Sequence, residues 1–204
     1  MLTTLLRQST AGLRVLLVLT VLLGLAYPFA IYGVSRIPGL QAKAEGSLVE
    51  VDGRVVGSEL IGVDPVASGT PDPYFHTRPS ASSQDVLGPG DPSVSGGSNL
   101  AGDSPDLLDA VTQRRELIAA RESVAPAAVP PDAVTTSASG VDPQISPAYA
   151  ALQVPRVARA TGVPEDEVRA LVAEHTTGRA LGFLGEPAVN VLGLNLAVQR
   201  ARAG

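Results

Sequence analysis

The stretch Val-Leu-Leu-Val-Leu-Thr-Val-Leu-Leu-Gly-Leu-Ala-Tyr-Pro-Phe-Ala-Ile-Tyr-Gly-Val fills residues 15–34, with no charge between Arg14 and Arg36. At about 1.5 Å of rise per residue, a helix of this length crosses the roughly 30 Å hydrocarbon core of a bilayer. The stretch therefore predicts one membrane-spanning helix over residues 13–35, behind a cytoplasmic tail over residues 1–12 that is too small to fold. In lipid every backbone group must be bonded within the helix, and Pro28, which has no N–H, frees one carbonyl. A kink or a neighbouring helix has to compensate. Tyr27 and Tyr32 fall toward the far end, where their polar tips reach the interface.

The competing reading is a cleaved secretory signal, since Gly24-Leu25-Ala26 and Ala42-Lys43-Ala44 both place small residues two apart. The apolar run exceeds the roughly 7–15 residues of a signal core, the first candidate site lies inside it and the second well past its end. An uncleaved anchor is the expectation. Arg7 and Arg14 flank one end of the run and Arg36 and Lys43 the other, so the positive-inside rule chooses only weakly. It favours an N-terminus inside the cell, which puts residues 36–204 outside the cytoplasm.

Outward from the anchor, composition restricts what remains. The 204-residue chain carries a net charge of −5, which argues against nucleic acid as a partner. With no cysteine, there is neither a disulfide nor a thiol nucleophile, and a zinc site would need His76, His175 and carboxylates. Aromatic residues are 3% of the chain while Gly (21) and Pro (17) are plentiful, so the domain is expected to be loop-rich, with a core of Val, Leu and Ala.

Residues 47–51 and 54–61 alternate apolar and polar side chains around Asp52-Gly53, whose positive φ angles suit a two-residue hairpin turn. From 62 to 98 the chain is dense in Gly, Pro, Ser and Asp, interrupted by Tyr74-Phe75-His76-Thr77-Arg78-Pro79. A loop this long in a compact domain is functional or ordered by a partner. Asp103-Ser104-Pro105-Asp106 opens a helix with an apolar stripe to about Glu122, and residues 133–137 read as a short strand. Ser146 caps a further helix that Pro155 is expected to break and Gly162 to stop. Another starts after Pro164 with three acids at its positive end, and a last one follows Asn190. Strands first and helices later give an α+β domain.

No enzyme motif emerges. Ser95-Gly96-Gly97-Ser98-Asn99 lacks the Gly-Lys-Ser/Thr ending of a phosphate-binding loop and reads as a tight turn. Ser137-Ala138-Ser139-Gly140 is not a nucleophile elbow, and neither histidine is near it in sequence. Arg156 and Arg159, on one helix with Gln153, could meet an acidic partner or a phosphate, although exposed helices carry arginine routinely.

Six blocks taken together are more specific: Gly57-Ser58-Glu59-Leu60-Ile61-Gly62, Tyr74-Phe75-His76-Thr77-Arg78-Pro79-Ser80-Ala81, Ser95-Gly96-Gly97-Ser98-Asn99-Leu100, Ser139-Gly140-Val141-Asp142-Pro143-Gln144-Ile145-Ser146-Pro147, Gln153-Val154-Pro155-Arg156-Val157-Ala158 and Gly182-Phe183-Leu184-Gly185-Glu186-Pro187. In this order, behind a single helix, the chain resembles the C subunit of the Kdp potassium-transporting P-type ATPase. The resemblance implies a non-catalytic subunit of a plasma-membrane complex. Its partners would be a channel-like potassium-binding subunit, an ATP-hydrolysing subunit and a small single-span subunit. It further implies a role in assembly and a catalytic-chaperone effect on ATP affinity, with Gln153 proposed to touch the nucleotide. Potassium would be the transported ion. The implied topology, N-terminus inside and domain outside, conflicts with direct contact to cytoplasmic ATP, so any such effect must be coupling through the complex. Gln144, where the family commonly has histidine, and Gly193, where a larger residue is usual, depart from the pattern. Candidate partner-contact residues are Gly24 and Ala26 on the anchor, where small side chains allow close helix approach, and Arg78, Asp142 and Arg156 in the domain. An extracytoplasmic binding module anchored alone, and a nucleotide-binding regulator with an inward-facing domain, are the alternatives.

Overall fold

The anchor helix starts earlier than the apolar run requires. In the computed structural model, which describes residues 1–203, α1 (Leu2–Val21) already includes the polar tail, so residues 2–12 continue the helix. The tail is rich in leucine, and Leu5 N–H donates to the Met1 carbonyl to close the first turn. A single π-helical turn, Leu22–Ala26, follows, and α2 (Tyr27–Ser35) completes a helical stretch of 34 residues apolar enough to cross a membrane. The π turn sits immediately before Pro28: Tyr27 N–H reaches back five residues to the Leu22 carbonyl. A local change of hydrogen-bond register thus accommodates the proline. Beyond it, Arg36 pairs with Glu45 at 2.8 Å and lies over the Tyr32 ring, next to the one-turn α3 (Gln41–Ala44). These residues, 1–47, form one unit; the chain from Leu48 onward forms a second.

In the second unit, β1 (Leu48–Val51) and β2 (Arg54–Ser58) pair antiparallel, Val51 opposite Arg54. The turn residues Asp52 and Gly53 have φ of 50° and 73°, as the Asp-Gly dipeptide predicts. Residues 62–98 contain no regular element. Then α4 (Pro105–Glu122) begins at the expected proline behind Ser104. Residues 133–137 do not form a strand: Pro131 instead starts a one-turn helix, α5 (Pro131–Val134). Its first-turn Asp132 accepts from both the backbone N–H and the hydroxyl of Ser146, which holds the turn in place.

Three short strands form a small antiparallel sheet in the order β3 (Gln144–Ile145), β5 (Ala188–Asn190), β4 (Thr176–Thr177). Between β3 and β4 lie α6 (Pro147–Thr161), capped by the Ser146 hydroxyl accepting from Tyr149 N–H at 3.0 Å, and α7 (Glu165–Glu174). The final helix, α8 (Val191–Ala203), follows β5 directly. Pro155 does not break α6. It removes the bond to the carbonyl of Ala151, an exposed residue that water can serve, while buried Gln153, Val154, Arg156 and Val157 hold the helix on either side. Gly162 ends α6 in the left-handed conformation, φ 79°. The fold is α+β, with the core centred on Phe75, Ile118, Ile145, Val157, Val168 and Leu194.

Candidate functional site

Phe75 is fully buried and lies in a segment with no strand neighbour, so the backbone groups around it need partners from elsewhere. Side chains supply them one after another. Tyr74 N–H donates to Asp72 Oδ1 at 2.9 Å and its carbonyl accepts from Arg156 Nη1, also at 2.9 Å. Phe75 N–H donates to Asn195 Oδ1 at 2.7 Å, and Asn195 Nδ2 returns a bond to the Phe75 carbonyl at 2.9 Å. Gln153 repeats the arrangement one residue on, Oε1 accepting from His76 N–H at 2.8 Å and Nε2 donating to the His76 carbonyl at 3.3 Å. Thr77 N–H donates to Asp64 Oδ1 at 2.7 Å. Two carboxamides, from α6 and α8, therefore do for residues 75 and 76 what a neighbouring strand does in a sheet.

Charged groups surround this ladder. Glu122, at the end of α4, has a fully buried side chain and receives Arg156 Nε at 2.9 Å and Arg121 Nε at 2.8 Å. Arg156 also donates to the Asp72 carbonyl at 2.6 Å and to Gln153 Oε1 at 3.1 Å. Arg121 Nη2 donates to the Tyr149 hydroxyl, whose pKa burial pushes up to about 12 despite the guanidinium beside it. His76 closes the cluster: Nδ1 lies 3.0 Å from Asp64 Oδ2 and Nε2 lies 2.7 Å from Asp72 Oδ2. Burial alone would lower the His76 pKa, but the bonds to the two carboxylates outweigh it and hold the imidazole above its ordinary range. Burial raises the Asp72 pKa, and the bonds from His76 and Tyr74 more than reverse that.

The structure brings the sequence-derived residues together in two groups. Gln153 and Arg156 belong to the buried ladder; Gln153 has no exposed surface and Arg156 keeps only 4%. Arg78 and Asp142 pair with each other, Nη1 to Oδ2 at 3.4 Å, while Arg78 Nη2 donates to the Thr135 and Thr136 carbonyls. Gly24 and Ala26 both fall in the π turn of the anchor. Gly96-Gly97 does not form the expected tight turn; it runs as irregular backbone packed against residues 138–140, with Gly96 N–H donating to the Ser139 carbonyl at 2.7 Å. His175 is separate from His76. Its Nδ1 bonds the Leu171 carbonyl, and it borders a cleft of about 520 Å³ with Glu174, Asn190 and Arg200.

One family-like block points outward. Residues 179–186 form a tight loop closed by the Ala180–Leu184 bridge and the Arg179–Glu186 ion pair at 2.6 Å. At its tip Leu181 is 83% and Phe183 69% exposed.

A family model described as K+-transporting ATPase, c chain, matches residues 9–200. The chain belongs to the KdpC family. It is 52% identical over 200 residues to the potassium-transporting ATPase KdpC subunit of Kineococcus radiotolerans, covering 98% of this chain and 97% of that one. It is 48% identical to the subunit of the same name from Bradyrhizobium diazoefficiens over 97% of this chain and 99% of the relative. With the Streptomyces coelicolor subunit it shares 46% identity over 94% and 92%. As a KdpC-family chain it is a subunit type of a larger transport ATPase; of the blocks that pointed to the family, 74–81 and 153–158 meet in the buried ladder, 95–100 and 57–62 pack against 139–147, and 182–187 lies in the exposed loop.

Sequence reasoning missed Asp64, Asp72, Arg121, Glu122, Tyr149 and Asn195. Two of them left a signal. Glu122 lies four residues after Ile118 on the buried stripe of α4, and Asn195 sits between Val191, Leu194 and Val198 on that of α8. A polar side chain on an apolar stripe needs a buried partner.

Proposed function

We propose that this chain is the accessory C subunit of an ATP-driven potassium uptake complex of the plasma membrane. Its single helix anchors it, and its domain stands outside the cytoplasm, where it helps assemble the pump with the channel-like, ATP-hydrolysing and small single-span subunits. The observation that carries this reading is the family match over residues 9–200 behind one apolar helix. Any effect on the ATP affinity of the hydrolysing subunit, the catalytic-chaperone role, then travels through protein contacts, because the C subunit binds two states of the complex unequally. Gln153 acts in this reading as a backbone clamp and not as a nucleotide ligand; its complete burial with both polar atoms engaged supports that role.

Two surfaces make the contacts. On the anchor, Gly24 and Ala26, on opposite sides of the π turn, each let a neighbouring helix approach, and one such helix can bond the carbonyl that Pro28 frees. On the domain, Leu181 and Phe183 enter an apolar recess of another subunit, since exposed large apolar groups on a rigid loop are what protein interfaces bury at their centre. Because the chain has no cysteine, one placed at exposed Ser68 gives a clean topology test. Labelling by a membrane-impermeant maleimide in intact cells is the expected result; labelling only after lysis would place the domain inside and return the nucleotide-regulator reading.

A further inference from the structure

The buried cluster balances its charges only with a proton on His76. Three carboxylates, Asp64, Asp72 and Glu122, face two guanidiniums, Arg121 and Arg156, and the Tyr149 hydroxyl accepts from Arg121. Without that proton the buried group carries one uncompensated negative charge. The ring geometry agrees with the charge count. Both imidazole nitrogens point at carboxylate oxygens within 3.0 Å, and an ionised carboxylate only accepts, so each nitrogen must carry a hydrogen. A neutral ring would set a bare nitrogen lone pair against a carboxylate in either tautomer.

We infer that Asp64, His76 and Asp72 form a buried proton-binding site that locks residues 72–77 to the core, and that alkaline pH releases this lock. The proton is held by the same atoms that hold the backbone. Asp64 takes His76 through Oδ2 and Thr77 N–H through Oδ1, and Asp72 takes His76 through Oδ2 and Tyr74 N–H through Oδ1. A ring that loses its proton pushes one of these carboxylates away and takes a backbone bond with it. Desolvation and the nearby Arg121 oppose the imidazolium, yet the two carboxylates prevail and hold the His76 pKa above its ordinary 6.5. Opening of the segment, which returns His76 to water, therefore releases a proton between pH 6.5 and the folded pKa. Across that window the opening constant rises with pH, by at most about tenfold per unit for one proton, and it levels off above the folded pKa. The inference holds on whichever side of the membrane the domain lies.

The test is nitrogen NMR of the imidazoles in the full chain in detergent, with His175→Gln for assignment, together with amide hydrogen exchange of residues 74–77 from pH 6 to 9. The expected result is a His76 ring with both nitrogens protonated at neutral pH and a pKa above 6.5. Protection of residues 74–77, corrected for intrinsic exchange, should fall as pH rises through the stated window, by at most about tenfold per unit, while residues 154–157 stay protected. In Asp64→Asn, which keeps the shape and an acceptor for Thr77, the His76 pKa should drop and the slope shrink. A ring already neutral at pH 7, or a slope identical in the wild type and Asp64→Asn, would overturn the inference.

Discussion

Residues 72–78 and 179–186 are both irregular connections of one domain, and they use their side chains in opposite directions. In the first, groups from α4, α6, α8 and the loop itself converge on the backbone, so a segment without secondary structure is as buried as a core strand. In the second, the backbone bonds itself into a closed loop and its large apolar side chains face away from the domain. An irregular backbone therefore says nothing about burial. What separates the two is whether polar side chains elsewhere in the chain are reserved for the segment's backbone.

The comparison breaks most readily at Arg156. Truncation to alanine leaves Glu122 buried beside one guanidinium and orphans the Asp72 and Tyr74 carbonyls, which should destabilise the domain by about 3–5 kcal/mol in thermal or denaturant unfolding. Lysine at the same place should recover little, because a single ammonium cannot span these acceptors. Gln153→Leu keeps the volume and removes both bonds to His76; about 1–3 kcal/mol for each backbone group left unpaired is expected. If unfolding were unchanged while ATP affinity of the complex fell, the clamp role would be wrong and the nucleotide role right.

Acid should loosen the first segment as well. The Asp72 carboxyl is held below its ordinary 3.8, so its stabilisation is complete above that value and is lost as pH falls through the folded pKa. The Asp72→Asn variant should show a flatter acid limb in an unfolding series below pH 4. At the other extreme, replacing Phe183 or Leu181 by serine should shift unfolding by no more than about 0.5 kcal/mol, since both are exposed. The same variants should reduce recovery of the partner subunits in co-purification. A large loss of stability would show that the loop serves the domain and not a partner.

Local chemistry made much of the fold legible. Asp52-Gly53 announced the hairpin, Ser146 and Gly162 the ends of α6, and Pro105 the start of α4, because each effect operates within a few residues. Two local rules misled where distant contacts prevailed. Pro155 sits in a helix held by buried neighbours, and residues 133–137 lost their strand to the Asp132–Ser146 bonds. The ladder itself was nearly invisible. Its decisive bonds join residues 77 positions apart for His76–Gln153 and 120 apart for Phe75–Asn195. Arg78 and Asp142 looked like two independent surface candidates and turned out to be partners.

The π turn at Leu22–Ala26 has a geometric consequence of its own. One residue added to a helix turns everything beyond it by about 100°, at 3.6 residues per turn. Any stripe that runs along α1 is therefore handed to a different side of α2, so the two halves of the helix present different faces. A single span can then touch two neighbours at different depths, one on each side, as a hinge pin touches both of its plates.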